Sequence, residues 1–161
     1  MTTATTESTK TSRLTSLQTG HVALNVTDLE RSQTFYERVF GLKEMSKGTD
    51  PDQQWVFLGR DGRLVITLFR QSSGTFDAAS PGLHHLSFQV ESVDQVHAVE
   101  ALVHELGAPI FHDGIVAHRE GADSGGLFFA DPDGIRLEIY APTGLAGTTA
   151  PSGEAPTCGF F

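Results

Sequence analysis

Two stretches of the chain carry the same order of apolar and polar positions. "HVALNVTDLERSQTFYERVFGL" from His21 and "HLSFQVESVDQVHAVEALVHELGA" from His85 each open on an alternation of period two and then change to helical spacing. The alternation predicts strands over 21–26 and 85–90. Val22, Leu24 and Val26 share one face of the first, and Leu86, Phe88 and Val90 share one face of the second. Thr27 with Glu30 and Ser92 with Gln95 form capping boxes, a hydroxyl followed three residues on by Glu or Gln. The predicted helices carry Leu29, Phe35, Tyr36, Val39 and Phe40 in the first copy, and Val96, Val99, Val103 and Leu106 in the second. Gly41 and Gly107 end them, as residues that accept the left-handed backbone of a helix terminus.

Strand-like runs follow each helix, "WVFLGRDGRLVITLF" in the first half and "GGLFFADPDGIRLEIY" in the second, with Asp61-Gly62 and Asp133-Gly134 as hairpin turns in corresponding positions. The prediction is an α+β fold of two βαβββ modules that form a cupped mixed sheet. Module one spans 18–70 and module two 83–142, joined by a Ser-, Gly- and Ala-rich linker over 71–82, so that 18–142 is one domain. The Thr/Ser-rich residues 1–17 read as a disordered tail, and 143–161 as a flexible one. Its closing Phe160 and Phe161 either dock on the body or a partner, or end an untethered segment.

The polar faces of the predicted strands hold the candidate chemistry. His21, Ala23 and Asn25 share one such face, His85, Ser87 and Gln89 its repeat, and Arg136, Glu138 and Tyr140 lie opposite Ile135, Leu137 and Ile139 on the last strand. If these faces converge, two imidazoles and a carboxylate meet, a donor set suited to Fe2+, and also to Mn2+, Ni2+, Co2+ or Zn2+. A single strand histidine is more often a surface residue than a ligand, but the repeat places His21 and His85 at equivalent positions. His84 falls on the apolar side and is read as structural.

Twenty acidic against 11 basic residues give a net charge of −9, which argues against nucleic acid and anionic membranes as partners. The single cysteine, Cys158, excludes an internal disulfide and suits a reducing cytoplasm. With no 18-residue apolar run and no apolar signal segment, the expected location is cytoplasmic.

"HVALNVTDLERSQTFYERVFGL", "GLHHLSFQV" and "FFADPDGIRLEIY" together resemble the vicinal oxygen chelate superfamily, the glyoxalase/bleomycin-resistance/dioxygenase proteins, over residues 18–142. The resemblance implies two βαβββ modules around a divalent metal, Fe2+ favoured, with ligands on the first strand of each module and on the last strand, here His21, His85 and Glu138. It also implies a homodimer and a small-molecule substrate with neighbouring oxygens. Dioxygenase is the leading expectation; the alternatives are a fosfomycin-type transferase and a non-catalytic drug- or metabolite-binding protein. Four-ligand isomerases of the family carry a glutamate where Ile66 or Thr67 stands here, and ring-cleaving members a tyrosine where Phe128 stands. His118 is the candidate general acid or base, and Tyr140 the second catalytic candidate. Arg136, Phe128, Asn25 and Gln89 are expected to line the substrate site, while Trp55 and Phe69 serve either as pocket wall or as core.

Overall fold

The computed structural model describes residues 15–161, so the expectation for 1–17 lies almost entirely outside the described residues. Module one comprises β1 (Val22–Asn25), α1 (Leu29–Phe40), β2 (Lys43–Asp50), β3 (Gln53–Arg60) and β4 (Arg63–Phe69). Module two repeats the order with β5 (Leu86–Gln89), α2 (Val93–Glu105), β6 (Ile110–Ala117), β7 (Gly125–Ala130) and β8 (Arg136–Ala141). Each module is a four-stranded mixed sheet, ordered β1-β4-β3-β2 and β5-β8-β7-β6. The first strand of each module runs parallel to the last, and the remaining pairs are antiparallel.

The apolar faces are buried as the periodicity predicts. Leu24, Val56, Leu58, Ile66 and Leu68 of the first sheet join the apolar stripe of α1, and Val96, Val99 and Val103 of α2 join Leu127, Phe129, Leu137 and Ile139 of the second. The two halves share one core. Phe40 of α1 lies 4.5 Å from Phe88 of β5 between ring centroids, and Phe35 lies 6.4 Å from Phe129 of β7. The modules therefore meet through the faces that carry the helices, and the opposite, polar faces of the sheets lie away from this core.

The first helix starts one residue later than its capping box predicts. Asp28 is the N-cap and its carboxylate accepts the Arg31 N–H at 3.0 Å. Thr27 is engaged elsewhere: its N–H and hydroxyl both donate to Asp133 of module two, which also pairs with Arg31. A long-range carboxylate has taken the hydroxyl that local sequence assigned to the cap. At α2, Ser92 is the N-cap without a side-chain bond, and Gln95 accepts from the N–H of Glu91.

The first hairpin turn is as expected, with Asp61 and Gly62 both at positive φ, 52° and 74°. The second is not its equivalent. Residues 131–135 form a longer connection in which Gly134 donates to the Asp131 carbonyl, while the Asp131 carboxylate accepts N–H bonds from Asp133 and Ile135 at 2.9 and 2.8 Å. Its other oxygen accepts the Tyr36 hydroxyl of α1 at 2.9 Å. Burial pushes the Asp131 carboxyl up to about 6 and holds the Tyr36 phenol well above its ordinary value.

Residues 143–161 return across the end of β6. Ala117 and Glu120 donate to the carbonyls of Thr149 and Gly153, Thr157 donates to the carbonyl of His118, and the Thr157 hydroxyl donates to the carbonyl of Ala117 at 2.8 Å. Leu145 and Thr157 are buried. This segment carries Phe161 onto the polar face of module two and leaves Phe160 exposed.

Candidate functional site

Strand β8 places Glu138 in the middle of the polar face of module two, with Ser87 of β5 and Phe128 of β7 in register on either side. Glu138 is 3% exposed, so a charged carboxylate here needs partners. His118, just past the end of β6, presents Nε2 to Oε1 at 2.7 Å, and His85, just before β5, presents Nε2 to Oε2 at 3.4 Å. Burial raises the Glu138 pKa, but hydrogen bonds from His118 and Ser87 and the nearby imidazoles outweigh it and leave the carboxyl below its ordinary value. Burial lowers the pKa of His85, against the opposing pull of Glu138.

The two adjacent histidines do not obey simple strand alternation, because β5 begins only at Leu86. His84 is exposed rather than turned to the core, and its Nδ1 lies 2.9 Å from Nδ1 of His85. The expected assignment of His84 to the apolar side fails for that reason. His85 alone of the pair reaches Glu138.

The donor chemistry fits a divalent ion in part. His85 and Glu138 offer nitrogen and oxygen 3.4 Å apart, the edge expected of two ligands on a tetrahedral ion at about 2.1 Å. His21 is exposed just before β1 in the other module. Among the described residues no three His, Cys, Asp or Glu side chains lie together as an ion site, so a single copy does not bring His21 to the other two.

The remaining candidates are distributed over both modules. Tyr140 donates to Gln89 at 2.8 Å on the same face as Glu138, and Phe128 is fully buried beside His118 and His112. Arg136 sits over the rings of Phe111 and Phe161 at 6.0 and 5.3 Å. Asn25 belongs to module one and accepts the N–H of Gln71 in the linker. Trp55 packs on Phe57, centroids 4.5 Å apart, on the corresponding face of module one. Register also decides the residue equivalent to Glu138. Ala23 pairs with Thr67 as Ser87 pairs with Glu138, so module one has a threonine at that place.

Sequence reading missed Ser124, whose hydroxyl lies 2.9 Å from Nδ1 of His118 and which thereby completes a Ser124–His118–Glu138 chain. No local signal marks it, because the link depends on the turn between β6 and β7. Gly125 and Gly126, next to it, are required by packing: a Cβ at either would strike the backbone of β6 or β8. His112 and Phe161 were likewise outside the predicted site, and both lie against Phe128.

Comparison with known proteins agrees with this architecture. A catechol-2,3-dioxygenase of Bacillus subtilis is 28% identical over 125 residues, which cover 76% of this chain and 40% of that protein. A probable trivalent organoarsenical cleaving enzyme of the same species is 36% identical over 126 residues, covering 74% of this chain and 77% of the relative. The fosfomycin resistance protein FosX of Listeria monocytogenes, solved with Mn(II) and a sulfate ion, superposes with a TM-score of 0.59 at 21% identity, covering 81% of this chain and 94% of that one. Among the described residues no helix is long and apolar enough to cross a membrane. The model of the Glyoxalase/Bleomycin resistance protein/Dioxygenase superfamily matches residues 18–139, and with the paired βαβββ modules this places the chain in that superfamily.

Proposed function

We propose that the protein is a divalent-metal-dependent enzyme acting on a small molecule with neighbouring oxygens, a dioxygenase in its leading form, with His21, His85 and Glu138 as the metal ligands. The observation that carries this reading is the buried Glu138 carboxylate with His85 Nε2 alongside it. Because β1 lies in the other module, the third donor comes from His21 of a second copy, and the working unit is a homodimer. A bound ion, Fe2+ by preference, would supply Lewis acidity and positions for two substrate oxygens. His118 holds the proton at Nε2 that the site exchanges with substrate, and Ser124 fixes the orientation of its ring. Tyr140, oriented by Gln89, is the second group able to move a proton, and Arg136 neutralises an anionic substrate oxygen while Phe128 bounds the pocket. Asn25 joins this lining from the second copy.

Support from relatives is chemical rather than specific. One is named for catechol dioxygenation, and this chain spans about two-fifths of its length; others are named as metallothiol transferases. Metal analysis and calorimetric titration with Fe2+ and Mn2+ test the centre. His85→Ala and Glu138→Gln abolish uptake while His84→Ala retains it. Equal loss in His84→Ala and His85→Ala would sink the assignment. Mixing His21→Ala with Glu138→Ala copies tests the dimer: each variant alone is inactive, and mixed dimers regain metal at one of their two sites. Oxygen consumption with catechol-type diols, set against thiol addition to fosfomycin, separates the dioxygenase from the transferase.

A further inference from the structure

Phe161 fills the space beside the Glu138 cluster with an aromatic ring. Its centroid lies 4.7 Å from Phe128, 5.2 Å from Phe111 and 5.6 Å from His85, with the Arg136 guanidinium 5.3 Å away over the ring. Phe111 and Phe128 are register partners on β6 and β7, so two neighbouring aromatic walls come from the sheet itself. The anchor of the segment is separate from the ring, since buried Thr157 is held by His118 and Ala117 through two hydrogen bonds, four residues before Phe161. The ring can therefore leave while its tether stays.

The groups around the ring are more polar than a phenyl group can satisfy. Nε2 of His112, 6.4 Å away between centroids, is buried without a hydrogen-bond partner, in a residue held at φ +60° within the irregular part of β6. Among the described residues no carboxylate forms an ion pair with Arg136. An unpaired imidazole nitrogen and an unpaired guanidinium around one aromatic slot define what the slot lacks, an acidic oxygen on the ring.

We propose that Phe161 is an intramolecular plug that occupies a subsite for a monocyclic aromatic ligand bearing an acidic oxygen, and that the ligand displaces it. The plug shares its cup with the metal-centred reading and needs no ion, so the two ideas fail separately. Displacement costs the ligand the population of the closed state, and removing the ring removes that cost.

The test uses metal-stripped protein and 4-fluorobenzoate followed by fluorine NMR. Phe161→Ala binds the probe about tenfold more tightly than wild type, as does a chain shortened by Phe160 and Phe161, which keeps the Thr157 anchor. Unchanged or weaker binding in both variants overturns the plug.

Discussion

Across β1, β4 and β3 of module one the central row of the polar face reads Ala23, Thr67 and Phe57; across β5, β8 and β7 of module two it reads Ser87, Glu138 and Phe128. The backbones that present these rows have the same strand order, so the repeat explains where the side chains point but not what they do. Glu138 is tolerated in the interior because Ser87, His118 and His85 answer its charge. Thr67 is as buried, and its hydroxyl has no partner. Module two thus has a centre that can hold charge, and module one has only a place of the same shape.

The sharpest way to break this comparison is to move the acid. Thr67→Glu buries a carboxylate in a module whose one histidine, His21, is exposed, and should destabilise the protein by roughly 3–5 kcal/mol in urea unfolding, the scale for an uncompensated buried charge. A cost below about 1 kcal/mol would mean that the face of module one can solvate charge as well as that of module two. Next in size is the link between the modules. Tyr36→Phe removes the hydroxyl donated to buried Asp131 and should cost about 1–3 kcal/mol by the same measurement.

The same aspartate gives a pH signature. Its carboxyl is raised from 3.8 to about 6 in the fold, so the folded chain binds this proton more tightly than the unfolded chain. The resulting stabilisation is full below the unfolded value and is lost as pH rises through about 6. Urea midpoints of wild type should therefore fall between about pH 4 and about pH 7 by more than those of Asp131→Asn. Equal slopes would show that Asp131 titrates normally. The smallest effect belongs to Thr67→Val, which removes a buried hydroxyl without a partner and should be neutral or stabilising by up to about 1 kcal/mol in thermal unfolding.

Much of the fold could be read from the chain. The βαβββ order, both helix-ending glycines and the Asp61-Gly62 turn follow from local periodicity and backbone preference, which neighbours in sequence impose on one another. The errors were local rules overridden at long range. Thr27 leaves its cap for Asp133, 106 positions away, and Asp131 reorganises the second hairpin around its own carboxylate. At the candidate site, alternation placed Ser87, Glu138 and Arg136 on the polar face, but it failed at His84, where the strand had not yet begun.

By itself, then, the sequence determined the apolar face of each element and that Ser87 and Glu138 lie on the polar face of module two, because strand and helix periods are properties of short segments. Only the tertiary structure decided who meets Glu138. The parallel pairing of β5 with β8 brings in Ser87 and sets His85 nearby, and the turn after β6 brings in His118 with Ser124 behind it. Packing through the helices leaves His21 in the other module, apart from both, since the modules bury their apolar faces against each other and no local pattern records that long-range packing.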